Sequence, residues 1–169
     1  MSLRASGDRV YYMGNKGLFC LDLASGKTVW QTNTVPVKTV SDEGLICWDK
    51  KRVFLVSADD GKVVWSHEPA LVGLRDAFIL GGSVWLGGFK PYSTGNKKYT
   101  GPVWGPYFAV ERSLETGEIT KEIAQENPGH HHRCYSSRAT GRYILGGRRG
   151  TEFLDLQTGE VLWHSWARG

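Results

Sequence analysis

No long segment of the sequence places apolar residues at helical spacing, so no substantial amphipathic helix is expected. Hydrophobic runs are also short. The longest stretch without charge, Ala77 to Phe89, holds 13 residues, four of them glycine, whereas a helical membrane span takes about 20 apolar residues. Cysteine is scarce: Cys20, Cys47 and Cys134 are odd in number and far apart, which excludes a Cys-x-x-Cys redox pair and leaves the redox compartment undetermined. Met1 to Asp8 lacks the apolar core of a signal peptide, so none is expected in this chain. Neither sign of charge dominates, with 21 basic and 17 acidic residues and a net charge of +4. Without a dense basic stripe, nucleic-acid binding is not expected. Arg133, Arg138, Arg142, Arg148, Arg149 and Arg168 do gather late in the chain; they read either as a solvated face or as a patch that attracts anions. A Gly-x-Ser-x-Gly elbow, a His-Glu-x-x-His helix and a phosphate loop are all missing.

What the sequence has is glycine, aromatics and a repeated turn. Its 169 residues include 22 glycines and are 12% aromatic, a balance suited to strands joined by tight turns. Asp22-Leu23-Ala24-Ser25-Gly26-Lys27-Thr28-Val29-Trp30 returns as Ser57 to Trp65 and as Asp155 to Trp163. A degenerate copy, Ser113 to Ile119, keeps the turn and carries Lys121 in place of the tryptophan. Each copy is an apolar run, a polar turn closed by Gly, and a second apolar run. That is a hairpin pattern, because Gly accepts the positive φ such turns need.

Taken in order, strands are expected at Arg9–Met13, Leu18–Leu21 and Thr28–Gln31, then at Val37–Val40, Leu45–Trp48, Arg52–Val56 and from Val63. A third unit runs through Asp76–Ile79, Ser83–Leu86 and Tyr107–Val110, interrupted by an insertion at Gly87 to Pro106. A fourth starts near Arg133-Cys134-Tyr135 and continues through Tyr143–Leu145, Glu152–Leu154 and Val161–Trp166. Leu18–Leu21 is apolar on both faces, which implies cover from two sides. The turn glycines Gly26, Gly61, Gly117 and Gly159 stand 35, 56 and 42 residues apart. Removing the insertion brings the middle interval to about 38, close to the roughly 40–50 residues of a propeller blade.

These residues point to an all-β fold of four-stranded antiparallel blades. Asp-Leu-x-Thr/Ser-Gly-Lys/Glu-x-x-Trp resembles the blade motif of the pyrroloquinoline-quinone-repeat (PQQ-like) β-propeller family, and the resemblance covers almost the whole chain. The stretch from Arg133-Cys134-Tyr135 to Asp155 also resembles large planctomycete-type secreted propellers of unassigned activity. The resemblance implies that Trp30, Trp65 and Trp163 dock between neighbouring blades. It implies one propeller segment over residues 1–169, with blades at about 8–34, 35–70, 71–127 and 128–169 and the insertion at 87–106. The first unit starts at what would be a second strand, so fifteen strands are expected, the first blade lacking its inner strand. The chain then reads as an arc, about half of a seven- or eight-bladed ring, whose exposed blade faces favour self-association.

Two loop segments carry candidate sites. In a propeller, the loop at Gly87 to Pro106 and the segment Asn127 to His132 emerge on one face, where function concentrates. Lys97, Tyr99, Trp104 and Arg133 are the ligand-face candidates, since aromatic planes with cationic tips suit sugars or acidic ligands; a self-packed loop is the alternative. His130, His132 and Cys134 point to one side of an extended backbone and carry donors for zinc or copper; a polar channel wall is the alternative. Asp59-Asp60-Gly61 reads as turn chemistry, because the spacing of a calcium loop is absent. The resemblance implies a binding or scaffold module in a bacterial secreted or periplasmic protein, with a protein or carbohydrate ligand. The other reading is part of an oxidoreductase whose remaining site lies on further blades. No cofactor is expected; PQQ enters only through the resemblance, and the adjacent cysteines of quinoprotein dehydrogenases do not occur here.

Overall fold

The computed structural model describes residues 3–34, 37–92, 103–125, 138–146 and 150–166. Every regular element in them is a strand, and the strands form four antiparallel sheets of four, each in simple meander order. The first sheet comprises β1 (Leu3–Ser6), β2 (Arg9–Gly14), β3 (Gly17–Asp22) and β4 (Thr28–Thr32). The second comprises β5 (Val37–Ser41), β6 (Gly44–Trp48), β7 (Val53–Val56) and β8 (Val63–His67). β9 (Val72–Leu80), β10 (Ser83–Tyr92), β11 (Val103–Ser113) and β12 (Ile119–Gln125) make the third. The fourth contains β13 (Arg138–Ala139), β14 (Tyr143–Gly146), β15 (Gly150–Asp155) and β16 (Val161–Trp166).

The chain divides into two compact units, Met1–Pro69 with Leu114–Gly117, and Ala70–Ser113 with Glu118–Gly169. In the first unit, Tyr11, Leu18, Cys20 and Trp30 of one sheet pack against Val37, Leu45, Cys47, Phe54 and Val56 of the next. In the second, Trp85, Ala109 and Ile123 pack against Ile144, Leu154 and Leu156. Burial in the first unit pushes the Tyr11 phenol up to about 12 and the Cys47 thiol up to about 11, so both stay protonated at neutral pH and serve as core.

Three expectations from sequence need correction. The first sheet has its inner strand: Leu3–Ser6 pairs with Arg9–Tyr12 through the two-residue turn Gly7-Asp8, in which Gly7 has φ 53°. Leu3 to Ala5 are exposed, so β1 is made by backbone hydrogen bonding and has no apolar pattern to announce it. The described parts of the expected insertion, 87–92 and 103–106, are strand, because the β10–β11 ladder continues to Pro91↔Trp104 and Tyr92↔Val103. Pro91 is accommodated by a register shift between Phe89 and Pro91, where a missing N–H costs little. Finally, β3 buries only Leu18 and Cys20, while burial on both faces belongs to β6 and β7. The proposed start of the fourth unit at Arg133-Cys134-Tyr135 lies outside the described residues.

The four outer hairpins share one turn. The N–H of Asp22, Ser57, Ser113 and Asp155 donates to the carbonyl of Lys27, Lys62, Glu118 and Glu160 respectively, at 2.8–2.9 Å. The fifth residue of each turn is a glycine with φ between 67° and 81°, a conformation that costs other residues about 1–2 kcal/mol. Side-chain oxygens complete the cap. Asp22 Oδ1 accepts from Ser25 N (2.7 Å), Ser57 Oγ from Asp59 N (3.2 Å), and Asp155 Oδ1 from Gln157 N (2.8 Å). This local satisfaction of backbone donors is why Asp or Ser must open the turn. One pair inward, all four hairpins carry the same register shift, at Cys20/Leu21, Leu55/Val56, Glu111/Arg112 and Phe153/Leu154. It sets the residue opposite Cys20, Leu55, Glu111 or Phe153, namely Trp30, Trp65, Lys121 or Trp163, at one place in every sheet.

Asp155 is also held by Arg142, whose Nε and Nη2 donate to Oδ2 at 3.0 and 2.6 Å. Those donors, with the turn N–H groups adding and burial opposing, hold its carboxyl below the ordinary 3.8. A carboxyl depressed in the folded state contributes stability above its unfolded pKa and loses it as pH falls through the folded value. Asp155→Asn is therefore expected to melt below the wild type at neutral pH, with the gap closing on acidification below the ordinary carboxylate range. Thermal melts of both proteins across that range check this; a gap independent of pH would contradict it.

Candidate functional site

The tryptophans of the repeat are placed to donate. Trp30 Nε1 donates to the Ala58 carbonyl and Trp65 Nε1 to the Leu114 carbonyl, both at 2.8 Å. Each acceptor is the second residue of a Gly-closed turn, and each ring lies on the turn's glycine. A Cβ on Gly61 would stand 2.6 Å from the Trp30 ring, and one on Gly117 2.5 Å from the Trp65 ring. His67 adds a hydrogen bond to the Thr116 carbonyl at 2.8 Å; because that partner only accepts, the ring nitrogen carries the hydrogen. Lys121 makes the corresponding contact without a ring. Its Nζ donates to the carbonyls of Leu156 and Gln157, both at 3.0 Å. Ile123 fills the space the indole would take, 3.7 Å from a Cβ placed on Gly159. Trp163 differs from the other two, with 52% of its surface exposed.

The predicted ligands His130, His132 and Cys134 lie outside the described residues, as do Lys97, Tyr99 and Arg133. Trp104 is described only as a backbone position in β11, paired with Pro91. Among the described residues no group of three or more His, Cys, Asp or Glu could hold a metal ion.

A polar group that sequence reasoning missed lies within the third sheet. Tyr107 Oη donates to Asp76 Oδ2 at 2.7 Å across Gly87, which lies between them. A side chain at 87 would collide with the Tyr107 hydroxyl and reach within 3.0 Å of Asp76 Cβ. The glycine pair Gly87-Gly88 inside a strand was the available signal, since strand glycines mark close approach. Farther along β10, Lys90 Nζ meets Glu122 Oε1 at 2.5 Å and lies 5.3 Å from the Phe108 ring, while the Arg75 guanidinium lies 5.7 Å from Phe89. The adjoining cavity, lined by Asp76, Phe78, Trp85, Gln125 and Ile144, measures about 10 Å³. That is about the lower limit for one water molecule.

No family model and no curated protein matches the chain. Solved structures do. Dihydro-heme d1 dehydrogenase NirN matches at 16% identity and TM-score 0.63, over 100% of this chain and 37% of its own. Quinohemoprotein alcohol dehydrogenase from Comamonas testosteroni matches at 13% identity and TM-score 0.59, over 94% of this chain and 33% of its own. BamB from Moraxella catarrhalis matches at 20% identity and TM-score 0.42, over 99% of this chain and 63% of its own. The chain thus spans less than two thirds of the length of each. At these identities the likeness shows the fold alone, a β-propeller, in agreement with the four four-stranded sheets. Among the described residues no helix is long and apolar enough to cross a membrane.

Two measurements follow from these contacts. Gly26→Ala and Gly159→Ala should lose only the cost of positive φ, about 1–2 kcal/mol. Gly61→Ala must also displace a packed indole and should lose about 1–3 kcal/mol more; equal urea midpoints for the three would refute the docking. Gly87→Ala should destabilise the third sheet, and adding Tyr107→Phe should recover part of that loss. A strictly additive double mutant would mean that the hydroxyl is not what the methyl meets.

Proposed function

We propose that the chain is a non-catalytic propeller segment serving as a binding or scaffold module in a secreted or periplasmic bacterial protein. The observation that carries this reading is how the described polar groups are used. Indole and ammonium donors at Trp30, Trp65 and Lys121 are engaged by turn carbonyls, so the polar groups of the repeat are spent on joining one hairpin to the next. The blades run over about 8–34, preceded by β1, then 35–70, 71–127 and 128–169, as part of a seven- or eight-bladed ring in the manner of planctomycete-type propellers. Ligand contact falls to Lys97, Tyr99, Trp104 and Arg133, with a protein or a carbohydrate as partner. His130, His132 and Cys134 form a metal site on the same loops.

A second reading, part of a quinone-dependent or other oxidoreductase, draws on the fold likeness to a quinohemoprotein alcohol dehydrogenase. This chain spans 33% of that protein, so the remaining site would belong to other blades.

Incubation with PQQ and calcium, followed by dye reduction with alcohols, separates the two. The module reading expects no turnover; sustained turnover would replace it with the second. Metal analysis should find bound zinc or copper in the purified chain and its loss in His130→Ala/His132→Ala. Unchanged metal content would remove the metal site and leave the module reading standing.

A further inference from the structure

Three of the four repeats send a donor from their last strand into a Gly-closed turn, so three of the four turns are filled. Among the described residues one donor and one turn of this pattern remain unmatched. Trp163 occupies the same register as the docked tryptophans: Phe153↔Trp163 corresponds to Cys20↔Trp30 and Leu55↔Trp65, each beside the shared bulge. Yet Trp163 is 52% exposed. The Asp22–Lys27 turn has the same backbone as the filled ones, with Asp22 N donating to Lys27 O and Gly26 at φ 67°. A Cβ on Gly26, however, meets nothing within 4 Å, and Leu23, whose carbonyl corresponds to those of Ala58 and Leu114, is 57% exposed.

The sheet faces repeat the same match. In the first unit the row Tyr11–Cys20–Trp30 is buried against Leu45, Cys47, Phe54 and Val56. Its counterpart in the fourth sheet is the row Leu145–Phe153–Trp163, with Leu145 also exposed. The counterparts of Leu45, Cys47, Phe54 and Val56 in the first sheet are Val10, Tyr12, Phe19 and Leu21, all half-buried, with Tyr12 stacked on Phe19 at 4.8 Å. Donor, acceptor and apolar faces therefore correspond pair by pair.

We propose that two copies of the chain associate head to tail, the Trp163 indole of one seated on the Gly26 turn of the other and donating to its Leu23 carbonyl. The occupant is a second copy because the receiving surface is this chain's own first sheet, matched to the donor by the contacts the chain already makes internally. Such a contact is heterologous: the two surfaces differ, and association ends in a closed ring or continues as a filament. It needs no ligand, but it rests on the first and fourth sheets being left uncovered by further blades of the ring proposed above.

Sedimentation velocity over a concentration series provides the test, with two variants and their mixture. Trp163→Ala removes the donor. Gly26→Asn places a Cβ where the indole must lie; Asn tolerates positive φ, and within its own chain that Cβ faces open space. Wild type should associate as concentration rises, and each variant should weaken association by roughly thirtyfold, as loss of a buried aromatic anchor does. Mixing the variants should restore a heterodimer, because the Gly26→Asn copy keeps its Trp163 and the Trp163→Ala copy keeps its turn. Should Gly26→Asn fail to fold by circular dichroism, Tyr12→Lys on the receiving face takes its place in the mixture. A wild type that stays monomeric throughout overturns the proposal. So does sensitivity to Trp163→Ala without sensitivity on the receiving side, or a mixture that does not recover, either of which would mean pairing between like faces.

Discussion

A nitrogen donor delivered to the second carbonyl of a Gly-closed turn is the contact on which the rest of this structure depends. A turn carbonyl needs a donor once water is excluded, and at Ala58 and Leu114 the donor comes from a strand distant in sequence. Trp30 and Trp65 supply the donor together with a large apolar ring, and the ring's approach leaves no room for a side chain at Gly61 or Gly117. Positive φ and close approach therefore converge on the same glycines, which ties the local turn to the long-range packing.

Lys121 shows which part of that contact is indispensable. The ring is gone, the ammonium reaches the equivalent carbonyl of Leu156, and Ile123 takes over the apolar filling. Hydrogen bonding and packing, joined in one residue in two repeats, are here divided between residues two apart on the same face of β12. A lysine that reads as a broken motif in the sequence is a working substitute in the fold.

The chemistry available in the described residues is that of cohesion. Thiols and phenol in the first unit are protonated core groups, and Asp155 is committed to Arg142 and to its own turn. The Asp76–Tyr107 pair beside Gly87 is a polar device inside a sheet.

The repeated turn was legible in the sequence because its physics is local: a capping Asp or Ser, a glycine for positive φ and a pair of flanking apolar runs act within about ten residues. From it followed the four-unit division of the chain and the meander order of the strands. Strand β1 was not legible, since Leu3–Ser6 is held by backbone pairing rather than by burial. Nor was the continuation of β10 through Pro91, where a register shift absorbs a residue that ordinarily ends a strand. The Asp76–Tyr107 pair joins positions 31 residues apart, and of the candidate ligand residues the sequence offered types without geometry. Which donor meets which turn was decided by tertiary structure alone. Trp30 and Trp163 share the Asp-Leu-x-x-Gly-x-x-x-Trp spacing, yet one is buried on a turn and the other is exposed.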